Sequence, residues 1–224
     1  GKDRALKNDY AREIQALCNE NKIAYSFRED EVVIKNKFVI AVAWRWLIKQ
    51  SHGRLIVLHD SLLPRYRGFA PLVNQLINGE PEIGVTAFFA SADFDRGEII
   101  AQHRISITYP MKIEKAIELA SVGYASLVSG IIKTLSVGQS LQSFPQREED
   151  ASYSLWRDQH DYWINWNWDA SKIARFIDAL GTPYAGARTT LNDELIILSH
   201  ASQVSDVKIE IRDIGKVLFI NEGF

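Results

Sequence analysis

Arg54-Leu55-Ile56-Val57-Leu58-His59-Asp60-Ser61-Leu62-Leu63-Pro64-Arg65-Tyr66-Arg67-Gly68 is the stretch that decides the fold. An apolar run of strand length, Arg54 to Leu58, ends on a histidine and opens into a loop stiffened by Pro64 and closed by Gly68. A run apolar on both faces suits a strand in a sheet that is covered on both sides. Open α/β sheets put their ligands where strands run out into loops, and His59 stands at such a point.

Working outward, the same kind of run recurs at Phe38–Trp44, Ile83–Ala90 and Ile99–Ile107, with a shorter one at Ile23–Phe27. Tyr10, Ile14, Leu17 and Cys18 recur at helical spacing and predict an amphipathic helix over Asn8–Lys22. Lys112–Leu135 repeats the pattern over a longer span, with Ile113, Ala116, Ile117, Ala120, Tyr124, Leu127, Ile131 and Leu135 on one face. Apolar runs that alternate with helices predict an α/β fold with a mostly parallel, Rossmann-like sheet. Ser136–Ser154 breaks the pattern with Gly138, Pro145 and the charge run Arg147–Asp150, and marks a connector. Beyond it, an aromatic cluster (Tyr162, Trp163, Trp166, Trp168) precedes a helix over Ala170–Leu180, stopped by Gly181 and Pro183. Strand-like runs follow at Leu195–Leu198, Val207–Ile211 and Val217–Ile220. The expected division is residues 1–144 as one domain and 145–224 as a helix with a small β-rich unit.

The 224 residues fit one large domain or a main domain with an appendage. With 46% hydrophobic and 24% charged residues, a disordered chain is excluded. No uninterrupted apolar run reaches the ~18–20 residues of a bilayer span, and no signal-peptide core stands near Gly1, so no membrane role is expected. The single Cys18 excludes a disulfide within the chain and any cysteine-built zinc site, which favours a cytoplasmic setting. A net charge of −2 argues against a nucleic-acid partner bound through its phosphates.

Asp93-Phe94-Asp95-Arg96-Gly97 is a second polar loop after an apolar run. If it neighbours His59, Asp95 can orient the imidazole and favour its charged form, giving a proton donor for an oxyanion or a leaving nitrogen. Arg67, held between Tyr66 and Gly68, anchors either the loop or a phosphate. The aromatic cluster offers a sugar-stacking platform or, more simply, packing for the small C-terminal part. His52, His103, His160 and His200 have no motif around them and are taken as structural or surface residues.

His-x-Ser-Leu-Leu-Pro-x-Tyr-Arg-Gly, then Ile-Gly-Val-Thr, then Asp-x-Gly resembles the pattern of formyltransferases that use N10-formyltetrahydrofolate. Methionyl-tRNA formyltransferases and sugar N-formyltransferases share it, and the chain is most similar to the domain that formylates UDP-4-amino-4-deoxy-arabinose. Further matches are Arg45–Ile48, Asn78–Glu80, Asp95–Gln102, Gln146–Ala151, Ile164–Trp166 and Pro183–Ala187. The resemblance implies a formyltransferase domain followed by a small OB-like barrel. His59 corresponds to the catalytic histidine and Asp95 to its supporting aspartate. Trp46, Leu47 and Ile48, with Ser91, Ala92, Asp93, Phe94 and Asp95, correspond to the segments that hold the pterin. N10-formyltetrahydrofolate is then the formyl donor, no metal is needed, and the acceptor is a small molecule, a nucleotide-linked amino sugar. The reaction passes through a His/Asp-assisted tetrahedral intermediate. Methionyl-tRNA is the runner-up acceptor, and a homodimer is left open.

Two positions depart from that pattern. Val57 stands where the family has an asparagine that donates to the formyl oxygen; losing one such donor typically costs about 2.7–4 kcal/mol of barrier. An impaired folate- or sugar-binding homologue is therefore a third reading, unless another donor substitutes; Asn74 lies in the following helix, and its reach to the site is left open. Phe69 stands where the arabinose-type enzymes have arginine. Relatives also begin with a strand, a helix and a strand before the helix matching Asn8–Lys22. Arg28–Lys37 is short for the family, and the barrel stops before its last strands, so the chain is expected to be N-terminally incomplete.

Overall fold

The computed structural model describes residues 10–27, 30, 34–44, 48, 54–218 and 220. In chain order the helices and strands are α1 (Ala11–Glu20), β1 (Phe38–Ala41), β2 (Arg54–His59), β3 (Arg67–Gly68), α2 (Pro71–Asn78), β4 (Glu82–Phe89), β5 (Ile99–Ser106), α3 (Ile113–Ser136), β6 (Tyr153–Ser154), α4 (Ala170–Ala179), β7 (Ala187–Leu191) and β8 (Glu194–Leu198). The α/β class stands, with a four-stranded main sheet in the order β1-β2-β4-β5.

Its strands are not mostly parallel. β1 and β2 run parallel, with Ala41 opposite Val57, but β4 is antiparallel to both β2 and β5. The short link from β4 to β5 explains half of this, because a parallel crossover needs a dozen or more residues. The apolar run reports burial on both faces, which β4 has from Ile83 to Phe89, and carries no information on strand direction.

α3 covers the sheet with Ile113, Ala116, Ala120, Gly123, Leu127 and Ile131, a stripe spaced three and four residues apart. Among the described helices α3 alone is long and apolar enough to cross a bilayer, but this stripe packs on β4 and β5. α2 begins on Pro71 and ends on a left-handed Gly79, and buries Leu72, Val73, Leu76 and Ile77. α4 packs against it with Phe176 and Ile177, so the C-terminal part joins the same core.

Several boundaries differ from expectation. α1 spans Ala11–Glu20 within the predicted 8–22 and buries none of its residues. Ile23–Phe27 forms no strand and is exposed. β1 stops at Ala41, because Ala43 takes a left-handed backbone (φ 48) that a strand does not tolerate. Leu195–Leu198 does form a strand, paired in a hairpin with β7. Val207–Ile211 and the described part of Val217–Ile220 do not; Ile211 is 84% and Ile220 85% exposed, and neither segment pairs with a strand among the described residues. Among the described residues the C-terminal sheet is thus one hairpin rather than a barrel.

Candidate active site

His59 ends β2, opposite Thr86 of β4, and is 8% exposed. Its Nε2 lies 2.8 Å from the Tyr66 carbonyl oxygen. A carbonyl only accepts, so Nε2 carries the proton, and the tautomer is assigned by that contact. Nδ1 faces Asp95 Oδ2 at 3.8 Å, beyond hydrogen-bond range but within the reach of a charge. Asp95 therefore does not orient the imidazole; the Tyr66 backbone does. Tyr66 presents that carbonyl from a left-handed conformation (φ 60).

The loop after His59 is fastened to the sheet by side chains of β4 and β5. Buried Thr86 donates through Oγ1 to the Ser61 carbonyl at 2.6 Å and accepts from the Leu63 amide at 3.0 Å. Gln102 Nε2 donates to the Leu63 carbonyl at 2.8 Å and to Thr86 Oγ1 at 2.9 Å. The threonine of Ile-Gly-Val-Thr thus holds the Ser-Leu-Leu turn in place.

Asp95 accepts through Oδ2 from the Gly68 amide at 2.8 Å, which ties the second polar loop to the first. Gly68 has φ +101, and a Cβ there would lie 2.6 Å from the Ser154 carbonyl oxygen. At Gly97 a Cβ would lie 1.6 Å from the Phe89 carbonyl oxygen. Glycine is obligatory at both points because the backbones approach too closely for any side chain.

Arg67 is an anchor, 1% exposed, and its partners come from the connector. Nη1 and Nη2 donate to Glu148 Oε2 and Oε1 at 2.9 and 2.8 Å, the planar fork that a guanidinium makes with a carboxylate. The hydrogen bond from Arg67 holds the Glu148 carboxyl below its usual range, against a small opposing effect of desolvation. The Arg67 amide donates to Ser152 O and the Phe69 amide to Ser154 O, so that β3 and β6 form a short parallel ladder.

Asp60, a spacer in the motif as read from sequence, is a second carboxyl beside the histidine. Burial pushes it above the usual carboxylate range, and the proximity of His59 only partly counters that. Its Oδ1 is buried with no hydrogen-bond partner, although the residue as a whole is partly exposed.

A cavity of about 230 Å³ opens beside this loop, lined among others by Tyr66, Asn74, Tyr153, Trp156 and Arg157. Arg157 donates through Nε and Nη2 to Asn74 Oδ1, and burial lowers its pKa. Phe69 packs edge-on against Trp156 with ring centres 5.2 Å apart. Asn74 also donates to the Ala70 carbonyl at 2.9 Å and is committed to this wall, so it does not take over the role of the missing asparagine. Val57, two residues before His59, packs against Leu63, Phe88 and Ile99.

Of the other sequence-predicted positions, Trp46 and Leu47 lie outside the described residues, and Ile48 is partly buried. Ser91, Ala92, Asp93 and Phe94 form an exposed loop leading to Asp95; Phe94 is 80% exposed, and Ser91 Oγ donates to the Asp93 carbonyl. The aromatic cluster packs the C-terminal part: Trp168 meets Phe176 edge-on at 5.2 Å, and Trp166 Nε1 donates to Thr189. Sequence reasoning missed Tyr66, whose contribution is a backbone atom, and Asp60, whose buried charge depends on neighbours distant in the chain.

Residues 8–120 match the model of the family described as formyl transferase, and residues 157–223 that of the formyl transferase C-terminal domain. Among the solved structures that share the fold are the following three. HypX from Aquifex aeolicus, in complex with tetrahydrofolic acid, is 20% identical with a TM-score of 0.62 over 72% of this chain and 28% of its own. The methionyl-tRNA formyltransferase from Clostridium thermocellum is 19% identical with a TM-score of 0.68 over 88% and 91%. The N-formyltransferase from Helicobacter canadensis, in complex with folinic acid and dTDP-3-aminofucose, is 21% identical with a TM-score of 0.60 over 73% and 62%. The chain thus spans under a third of the length of HypX.

Proposed function

The chain belongs to the formyl transferase family, and we propose that it moves a formyl group from N10-formyltetrahydrofolate to the primary amine of a nucleotide-linked amino sugar in the cytoplasm. The observation that carries this reading is the histidine pinned by Tyr66 at Nε2, with Nδ1 turned toward Asp95. Nδ1 is the atom that takes the proton from the attacking amine and passes it to the departing N10, while Asp95 balances the charge on the ring in between. The new bond joins the amine nitrogen to the formyl carbon, and the bond from that carbon to N10 breaks. In this reading residues 1–144 carry the chemistry and 145–224 form the second domain.

Residues 46–48 and Ser91–Asp95 hold the pterin in this proposal. The open face of Phe94 next to Asp95 supports it, since a flat ring system stacks on an exposed aromatic. The cavity suits the nucleotide end of the acceptor: Arg157 is a partly desolvated guanidinium for phosphate, and Tyr153 and Trp156 offer faces for a base. Tyr66 links the two, lining the cavity with one part and holding His59 with another.

Single-turnover formylation of a panel of nucleotide-linked 4-amino sugars, followed by mass spectrometry, tests the acceptor. The expected result is one sugar gaining one formyl group. Formylation of methionyl-tRNA and of no sugar overturns the acceptor, and folate binding without any turnover overturns catalysis.

A further inference from the structure

The connector reaches the site through Gln146, which uses its whole amide there. Nε2 donates to the carbonyl oxygens of Asp95 and Gly97, each at 2.8 Å. Oε1 accepts from Arg67 Nε at 3.1 Å and Nη2 at 2.8 Å. Two carbonyls on one side and a guanidinium on the other permit only one orientation of the amide. The side chain is delivered from a fixed backbone, because Phe144 exchanges both main-chain hydrogen bonds with Ile99. Its target needs fixing: Asp95 has φ 56, a conformation that a non-glycine residue keeps only when its surroundings enforce it.

We infer that Gln146 is a positioning residue, clamping the Asp95–Gly97 backbone so that the Asp95 carboxylate stays on the Gly68 amide and opposite His59 Nδ1. This rests on His59 and Asp95 being the working pair. The consequence is that the connector, far along the chain from both, sets the geometry of that pair.

The test uses the full chain and the imidazole nitrogen resonances of His59, recorded for wild type, Asp95→Asn, Gln146→Glu and the double variant. Glutamate still accepts from Arg67 but cannot donate to the two carbonyls, so Gln146→Glu opens one half of the clamp. The expected result is a His59 Nδ1 shift in the same sense as that of Asp95→Asn, and no added shift in the double variant. An unchanged resonance overturns the inference, as does an equal shift in both backgrounds, which marks a direct field of the new charge. If Gln146→Glu does not fold, the neutral Gln146→Met is judged by the same comparison. On turnover, Gln146→Glu lowers kcat about 10–100-fold with KM for the amine little changed, the signature of a misplaced catalytic group. A wild type that never turns over defeats the proposed function and still leaves the spectra to decide the role of Gln146.

Discussion

Arg67 and Glu148, 81 residues apart, meet through two parallel hydrogen bonds of 2.9 and 2.8 Å. One partner is almost fully buried and the other open to solvent, so the pair closes the site from outside while its cation lies within the fold. A lysine supplies the charge but not the fork, and cannot reach Glu148 and Gln146 together. Arg67→Lys is expected to destabilise the chain by about 1–3 kcal/mol, the cost of leaving the partly buried Gln146 carbonyl oxygen without its two guanidinium donors. Urea unfolding checks it: the midpoint falls with an unchanged slope, and an unaltered midpoint shows the fork to be dispensable.

His59→Ala removes the ring nitrogen that faces Asp95 together with the bond to Tyr66. Turnover is expected to vanish. Stability falls by only about 1 kcal/mol, the usual net worth of one hydrogen bond. A variant that still formylates at the wild-type rate, measured by single turnover, shows that the proton travels by another route.

How legible this site was follows from where its information lies. His59 is legible as a candidate because it closes the apolar run of a strand, whereas Asp95, in the loop between β4 and β5, becomes one only if that loop neighbours His59, which no local pattern encodes. Strand direction was not visible: Ile83–Phe89 is buried on both faces yet antiparallel to its neighbours. The carbonyl of Tyr66 could not be read from residue types, since every residue carries one. Val207–Ile211 has the composition of a strand but pairs with none among the described residues. Gln146 stood in a recognised connector segment, but its reach to Asp95 depends on a chain reversal that no local pattern encodes.

Asp60 gives the site a pH dependence with a definite sign. Burial raises its folded carboxyl above the unfolded value, so the fold holds an extra proton between the two. That contribution is complete below the unfolded value of about 3.9 and is lost as pH rises through the folded one. Asp60→Asn keeps the shape without the ionisation, so its stability should gain on wild type as pH rises from about 4. Thermal midpoints of both proteins across that range decide it; parallel curves mean that Asp60 ionises as an ordinary surface carboxyl.

Val57→Asn tests whether the departure from the family's pattern limits the rate. Val57 lies two residues before His59 on the same strand, so both side chains leave the same face. An asparagine there has an amide to offer a developing oxyanion beside the histidine, which is worth about 2.7–4 kcal/mol where such a donor acts. The expected gain in kcat is therefore about 10²–10³-fold. It comes with a loss of stability, because Val57 packs against Leu63, Phe88 and Ile99, and a polar amide breaks that contact at a cost of about 1–3 kcal/mol. The two effects separate cleanly: single-turnover rates report the first, and thermal midpoints the second. A lower midpoint with an unchanged rate means that another donor already faces the oxyanion and that Val57 is an apolar wall.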